Sequence, residues 1–192
     1  MLRRVLFACC LLALMACTPQ SAAPAFKGSD ISGVAFGGNF TLINQQGKTV
    51  SLADFRGKAV ALFFGYTHCP DVCPTTLLEY AQAMKALGPQ ADQVQVLFVS
   101  LDPARDTPAV LAAYVPHFDR RFIGLTGSQA QVDRVASQFK VVAQKVVTEG
   151  GGYTLDHSAG SYLFDGAGNL RVYQAYGTPS AALVHDIREL LR

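Results

Sequence analysis

Two nearly unbroken apolar runs, at residues 59–64 and 94–100, stand out along this chain. Runs of this kind are typical of strands whose two faces are both buried inside a sheet. Shorter apolar segments bounded by turn residues predict further strands at 40–43, 49–51, 122–125, 141–147, 161–164 and 170–176. The first two of these form a predicted hairpin, because the polar residues between them favour a turn.

Residues that favour helix starts lie between the predicted strands. Pro74 can occupy the first turn of a helix that ends near Leu87, where Gly88 and Pro89 stop it. Three more helices are predicted from capping residues, beginning at Asp106 or Thr107, at Ser128 and at Ser180. Strands and helices therefore alternate, which indicates the α/β class.

The five cysteines divide into two groups. Cys9, Cys10 and Cys17 lie in or beside an apolar N-terminal stretch, whereas Cys69 and Cys73 form a pair soon after the first buried strand. A thiolate is both a nucleophile and a metal ligand, and the positive end of a helix dipole favours it over the thiol. The pair is therefore suited either to redox chemistry or to metal binding.

The order of elements around this pair predicts the fold. A strand, the cysteine pair and a helix are followed by further strand and helix units and a closing hairpin, which is the order of a thioredoxin-like fold. We predict an α/β, thioredoxin-like domain over residues 31–192, with an added N-terminal β-hairpin and a β-hairpin insertion.

The N-terminus has the pattern of a sorting signal. Arg3 and Arg4 precede an apolar run that is shorter than the roughly 20 residues a membrane-spanning helix needs. The run ends at Cys17, and the whole segment resembles the lipobox of bacterial lipoproteins. We expect residues 1–16 to be a lipoprotein signal peptide, Cys17 to carry a lipid anchor and residues 17–30 to be a flexible tether. An ordinary cleaved signal or an uncleaved anchor are the alternatives. Each places the domain in the periplasm or at the extracytoplasmic face of the membrane, which is an oxidising compartment.

The charge balance gives no reason to expect nucleic acid as a partner. The chain has 16 Lys and Arg residues against 14 Asp and Glu residues, and loss of Arg3 and Arg4 with the signal makes the two numbers equal. Domains that bind nucleic acid carry a basic excess. With 50% hydrophobic residues the chain should instead form one globular domain with its own core.

The spacing of the cysteine pair leaves both kinds of chemistry open. Redox enzymes of the thioredoxin type commonly have two residues between their cysteines, whereas here there are three. Positions four apart share one face of a helix, so both sulfurs could bind one metal ion. Two thiolates with an added imidazole suit Cu(I), and a histidine with oxygen donors leaves Cu(II) open as well.

Four histidines are candidates for the third ligand. His68 adjoins Cys69, but its side chain should point away from its neighbour's in an extended segment. His117 and His185 are expected at the surface or partly packed. His157 precedes a predicted strand, at the place where thioredoxin-like proteins have a loop that faces the cysteine motif.

Several charged residues near these motifs have two interpretations each. Asp71 either forms a turn or adds an outer charge to the cysteine site. Asp156 either orients His157 or ends a strand. Three more residues are expected to form a helix-capping and ion-pair cluster beside the site, with partner recognition as the alternative: Asp102, Arg105 and Asp106.

Four short motifs in order resemble the Sco/SenC family. Residues 54–58, 65–74, 100–108 and 156–158 read DFRGK, GYTHCPDVCP, SLDPARDTP and DHS. The resemblance extends from about residue 31 to the last residue. Sco/SenC proteins are copper-binding, thioredoxin-like assembly factors for cytochrome c oxidase, in which two cysteines and the histidine of the Asp-His-Ser motif bind copper. The resemblance therefore implies copper ligands at Cys69, Cys73 and His157.

The resemblance further implies a copper metallochaperone. It would deliver one copper ion to the dinuclear copper site of cytochrome c oxidase subunit II, with an upstream copper donor and a thiol reductant as further partners. Whether it also acts as an enzyme stays open at this point.

Two rival functions use the same cysteines. A thiol-disulfide oxidoreductase that reduces the cysteines of the oxidase copper site needs no His157. A thiol peroxidase would use Cys69, resolved by Cys73, although the chain lacks the Pro-x-x-x-Thr-x-x-Cys pattern of peroxiredoxins. An inert disulfide is disfavoured, because so small a loop constrains the unfolded chain little.

Overall fold

The computed structural model describes residues 25–192. The predicted signal peptide, the lipid anchor at Cys17 and most of the predicted tether lie outside the described residues. The strands of the described chain are β1 (Ser29–Asp30), β2 (Thr41–Asn44), β3 (Thr49–Ser51), β4 (Ala59–Gly65), β5 (Val94–Ser100), β6 (Ile123–Thr126), β7 (Ala143–Val147), β8 (Tyr153–His157), β9 (Ser161–Phe164) and β10 (Leu170–Gln174). Its α-helices are α1 (Val72–Leu87), α2 (Pro108–Tyr114), α3 (Gln129–Gln138) and α4 (Ser180–Leu190).

The central sheet has eight strands in the order β1-β10-β9-β4-β5-β6-β2-β3. Strands β4, β5 and β6 run parallel, and every residue of β4 and β5 is buried, as their apolar runs predict. The other neighbours are antiparallel, including the predicted hairpin of β2 and β3. Gly65 lies opposite Ser100, so β4 and β5 end at the same edge of the sheet. The cysteine motif begins at this edge.

The helices begin close to the predicted residues. Helix α1 has Pro74 in its first turn, where its missing N–H would have no helical partner anyway, and Gly88 follows its last residue. Thr107 caps α2 by accepting the amide of Val110 at 3.4 Å, and Ser128 caps α3. The order of β4, α1, β5, α2, β6, the β9-β10 hairpin and α4 confirms the α/β, thioredoxin-like prediction.

Aromatic side chains make up much of the core. Phe64 and Tyr162 pack against Phe139, with ring centroids 5.6 and 5.4 Å apart. The hydroxyl of Tyr162 donates to the carbonyl of Phe139 at 2.7 Å, which satisfies a buried polar group. Phe98 of β5 packs against Phe63 of β4, with centroids 6.0 Å apart. The two central strands are thus held by ring packing as well as by their hydrogen bonds.

The β-hairpin insertion is present, but it includes a segment that the sequence placed in a loop. Tyr153–His157 form strand β8, which pairs with β7 as a separate two-stranded sheet. Only Leu155 in β8 is buried, so this segment carries a weak apolar signal. His157 is therefore the last residue of a strand.

The fold also begins earlier than the sequence predicts. The sequence predicts a flexible tether up to residue 30, but Ser29–Asp30 form strand β1 beside β10. The amides of Lys27 and Gly28 donate to the carboxylate of Asp186 at 2.7 and 2.8 Å. Contacts made by backbone amides need no pattern of apolar side chains, and so the hydrophobic pattern of the sequence does not predict this segment. Within residues 25–192, no helix is long and apolar enough to span a bilayer.

Candidate metal centre

The cysteine motif forms the loop between β4 and α1. A buried carboxylate fixes this loop to the end of β5, because Asp106 accepts hydrogen bonds from the amide and hydroxyl of Thr67, at 3.0 and 2.6 Å. Asp106 also accepts from the hydroxyl of Ser100 at 2.5 Å. Three donors compensate for the burial of this charge. The position of the loop is therefore set by the core.

Cys69 lies in this loop and Cys73 is the second residue of α1, and both are free thiols. Cys69 is half-buried, whereas Cys73 is fully buried. The amide of Cys73 donates to Sγ of Cys69 at 3.4 Å. The backbone amides at the N-terminus of α1, which favour a thiolate, therefore act on Cys69. Burial raises the pKa of the Cys73 thiol above its ordinary value, and the hydrogen bond with Cys69 acts in the same direction.

Gly65, the last residue of β4, leaves room for the sulfur of Cys73. A Cβ atom at this position would lie 2.7 Å from Cys73 Sγ and 2.9 Å from Cε2 of Phe98. Both distances are shorter than side chains tolerate. The close approach of backbone to sulfur therefore requires glycine.

His157 completes the group from the opposite side. Its Nε2 lies 3.5 Å from Sγ of Cys73, and its Nδ1 lies 2.9 Å from the carbonyl oxygen of Ser158. Because a carbonyl can only accept, Nδ1 carries the proton and the lone pair of Nε2 faces the sulfur. The ring also packs edge-on against Tyr66, with centroids 5.9 Å apart and an interplanar angle of 82°. The imidazole is thus presented in the tautomer that a metal ligand needs.

The three side chains fit a single metal ion. One ligand atom from each of Cys69, Cys73 and His157 lies within 4.8 Å of the other two. Bonds of about 2.3 Å to sulfur and 2.0 Å to nitrogen, as for zinc, would separate such atoms by roughly 4 Å. Two sulfurs with one imidazole form a soft donor set of the kind that suits Cu(I). Within residues 25–192, no other three His, Cys, Asp or Glu side chains converge in this way.

The other histidines lie outside the group, as the sequence predicts. His68 is exposed, and its Nδ1 lies 3.1 Å from the hydroxyl of Thr67. His117 is exposed in a short 3-10 helix. His185 lies on α4, where its Nδ1 is 2.9 Å from the carboxylate of Asp186.

The carboxylates near the site divide between the interpretations. Asp156 is exposed and, within the described chain, makes no hydrogen bond to His157, and it lies at the end of β8, which supports the interpretation that it ends a strand rather than orients His157. The backbone carbonyl of Ser158 has that role instead. Asp71 immediately precedes α1 and accepts from the hydroxyl of Thr75 at 3.2 Å, which is consistent with its interpretation as a residue of the turn before the helix. The predicted cluster is confirmed in part: Arg105 pairs with Asp102, whereas Asp106 holds the cysteine loop and Thr107 caps α2.

An open cleft of roughly 400 Å³ gives access to the group. Cys69, Tyr66 and His157 are among its lining residues, and Cys73 lies behind them. A metal ion bound here would be partly open to solvent. Ligand exchange with another protein is therefore sterically feasible.

Two features of the site have roles that no local sequence pattern shows. The Ser158 carbonyl is a backbone atom, and Gly65 matters only because two other segments approach it. Tyr153 begins the strand that His157 ends, and recognition of that strand would have placed both on one face.

Comparisons with known proteins agree on one family. The SCO1/SenC family model matches residues 29–192. The chain is similar to an SCO2-like protein of Rickettsia felis, with 39% identity over 137 residues that cover 70% of this chain and 67% of the relative. Its fold matches that of copper-bound ScoI from Bradyrhizobium japonicum, with a TM-score of 0.76 and 41% identity over 82% of this chain and 100% of that one. It also matches BsSco, described as a member of the Sco family of cytochrome c oxidase assembly proteins, with a TM-score of 0.67 and 25% identity over 84% of this chain and 96% of that one.

Proposed function

The chain belongs to the SCO1/SenC family, and on this basis we propose that it binds one copper ion and delivers it to the dinuclear copper site of cytochrome c oxidase subunit II. Cys69, Cys73 and His157 would be the copper ligands. The observation that carries the proposal is the convergence of their three donor atoms within 4.8 Å. Copper is the cargo in this proposal, and the protein supplies its temporary ligands.

The build of the site supports delivery as well as binding. The two sulfurs provide soft ligands held by the core, which favours retention of Cu(I). The cleft leaves Cys69 and His157 reachable, so an acceptor protein could replace them one at a time. The similar ScoI protein of Bradyrhizobium japonicum has been solved with copper bound, which is consistent with a copper ligand set in this fold.

Thiol-disulfide exchange is a second candidate, because Cys69 is half-exposed and close to Cys73. In such a reaction the Cys69 thiolate would attack a disulfide of the partner, and Cys73 would then displace the partner's thiol and leave a Cys69 to Cys73 disulfide. An external thiol reductant must restore the pair. Nothing in this reaction uses His157, which makes that residue the discriminating position.

We also propose that the protein is held at the extracytoplasmic, periplasmic face of the membrane by a lipid on Cys17. The proposal is supported by the sequence pattern before Cys17. Copper would then arrive from an upstream donor on the same side of the membrane. Globomycin sensitivity and mass spectrometry of the N-terminal peptide would test the lipid anchor.

Copper stoichiometry and retention test the copper proposal. The reduced, purified protein, the Cys69→Ser/Cys73→Ser variant and His157→Ala are loaded with Cu(I) and challenged with a competing chelator, with His117→Ala as the control. We expect one retained copper ion in the native protein and in His117→Ala, loss in the cysteine variant and weakening of about 10-fold or more in His157→Ala. Copper binding that is absent from the native protein, or indifferent to His157, would overturn the three-ligand site and favour thiol-disulfide exchange.

A further inference from the structure

We propose that Arg105 is a positioning residue that holds the hairpin of β7 and β8 in place, so that His157 reaches Cys73. The inference rests on the proposed copper site and adds a device for assembling it. The device, here termed the Arg105 clamp, consists of Asp102, Arg105 and Tyr153.

The hairpin is attached to the domain by few contacts besides the clamp, chiefly the side chain of Leu155 in the core and the ring of Tyr66 against His157. It forms its own two-stranded sheet, separate from the central one. All of β7 is exposed, and Leu155 is the only residue of either strand that is buried. His157 therefore depends for its position on a few contacts between the hairpin and the rest of the chain.

The Arg105 clamp makes most of its contacts to the first residue of β8. Nη1 of Arg105 donates to the carbonyl oxygen of Tyr153 at 3.0 Å, and its guanidinium lies 3.7 Å from the centroid of the Tyr153 ring. Nε of Arg105 pairs with the buried carboxylate of Asp102. The hydroxyl of Tyr153 donates to the same carboxylate at 2.7 Å, so the three side chains close a ring of contacts.

Each contact in the clamp fixes a direction as well as a distance. The planar guanidinium holds its donors in a rigid fork and stacks on an aromatic face, which a lysine cannot reproduce. Asp102 lies two residues after the end of β5 and is 1% exposed. The clamp therefore fixes the position of the first residue of β8 relative to the end of β5. The cysteine loop is held at the same edge of the central sheet.

The orientation of β8 at its first residue, Tyr153, determines the position of its last residue, His157. Side chains alternate along a strand, so Tyr153, Leu155 and His157 share one face. At about 3.3 Å per residue, His157 lies about 13 Å from Tyr153, and a tilt of about 5° would move it by roughly 1 Å. Displacements of this size are enough to loosen a ligand site. Arg105 also lies 5.8 Å from the centroid of Tyr66, whose ring packs against His157.

The clamp holds Arg105 at a cost to its own hydrogen bonding. Its Nη2 is buried and, within residues 25–192, has no hydrogen-bond partner. An unpaired buried donor is unfavourable and rare in native structures. The contacts with Asp102 and Tyr153 therefore hold Arg105 in a position that leaves this donor unpaired.

Two clamp variants with matched controls test the proposal. Arg105→Met removes the fork and the charge, and Tyr153→Phe removes one hydroxyl. Arg171→Met is the control for the first, because Arg171 also pairs with a carboxylate and its side chain is 27% exposed, against 25% for Arg105. Tyr162→Phe is the control for the second, because its hydroxyl bond is also 2.7 Å long.

The first measurement is copper retention under a chelator, in the native and in the His157→Ala background of the purified protein. We expect Arg105→Met to weaken retention about 10-fold or more and Tyr153→Phe to weaken it less, with no further loss in the His157→Ala background. The controls should retain copper like the native protein. An equal loss with and without His157, or no loss in Arg105→Met, would overturn the proposal.

The second measurement needs no metal. Amide hydrogen exchange of the copper-free protein should become faster across residues 143–157 in Arg105→Met, and should stay unchanged there in Arg171→Met. Unchanged exchange in Arg105→Met would overturn the clamp. If the native protein binds no copper, the proposed function fails, and exchange at the hairpin still decides whether Arg105 holds it.

Discussion

The proposed metal site has a sulfur half, formed by Cys69 and Cys73, and a nitrogen half, formed by His157 on the β7-β8 hairpin. The sulfur half is anchored in the core by Cys73, which is 0% exposed and lies beside two fully buried strands, while Cys69 faces the cleft. The nitrogen half lies on a peripheral hairpin with one exposed strand. We infer from this difference that, in the proposed site, the sulfurs would retain the copper ion and the hairpin would govern its exchange.

The largest difference between two parts of the site should appear within the sulfur half, in the reactivity of its thiols. Iodoacetamide should modify Cys69 in the native protein. The buried thiol of Cys73 should react only when the surrounding structure opens. If that opening is global unfolding, at about 5–15 kcal/mol, Cys73 reacts more than about 1000-fold more slowly. Peptide mass spectrometry on Cys73→Ser and Cys69→Ser measures each thiol alone. Similar rates would show that Cys73 is reached in the folded state and that the sulfur half is not closed.

Truncation of a side chain should reduce the stability of the protein much more in the core beside the sulfur half than in the hairpin that carries the nitrogen half. Phe98→Ala removes a fully buried ring of β5 and should lower the free energy of unfolding by about 3–5 kcal/mol. Val147→Ala, at a hairpin position that is 79% exposed, should change it by less than about 0.5 kcal/mol. Denaturant titration measures both. Comparable losses would mean that the hairpin is as well packed as the core.

Addition of one methyl group should also destabilise the protein beside the sulfur half and not in the hairpin, with a smaller effect than truncation of Phe98. Gly65→Ala places a Cβ 2.7 Å from Cys73 Sγ and should destabilise the protein by about 1–3 kcal/mol while weakening copper retention. Gly150→Ala, in the turn of the hairpin, meets no atom within 4 Å. The control should therefore match the native protein in both denaturant titration and chelator competition. A Gly65→Ala protein of native stability and copper retention would contradict the close packing of the sulfur half.

The smallest effect is expected at the surface, outside both halves. The hydrogen bonds from Arg121 to Asp119, at 2.6 and 2.9 Å, hold the pKa of that carboxyl below its usual range. The ionised form therefore stabilises the fold above the unfolded pKa of about 3.9, and this contribution disappears as the pH falls through the lower folded value. Because Arg121 is 41% exposed, we expect less than about 1 kcal/mol. In Asp119→Asn, the free energy of unfolding should fall by this amount less than in the native protein when the pH is lowered through the acid range. An unchanged dependence on pH would contradict the assignment.

The sulfur half could be predicted from the sequence because its signals are local. The apolar runs of β4 and β5, the Pro74 helix start and the cysteine pair follow one another along the chain. Each signal reports on its own segment, and together they place the pair at a strand end and a helix start. The structure confirms that placement.

The nitrogen half could be predicted only in part, because its geometry depends on segments far apart in the chain. His157 was named from its place in the predicted fold and from the family motif. The sequence offers a strand that ends at Asp156 only as one of two interpretations of that residue, since β8 buries only Leu155. The contact between Arg105 and Tyr153 joins residues 48 positions apart, and no local pattern encodes it. Asp156 was considered because it neighbours His157, but the Ser158 carbonyl is the atom that meets the ring.

The central claim is that two sulfurs and one nitrogen hold a single copper ion. X-ray absorption at the copper edge tests it most directly, on the Cu(I)-loaded native protein and on His157→Ala. The account predicts two sulfur neighbours and one nitrogen neighbour in the native protein, and loss of the nitrogen alone in the variant. A sulfur-only environment in the native protein, or an unchanged nitrogen neighbour in His157→Ala, would contradict it.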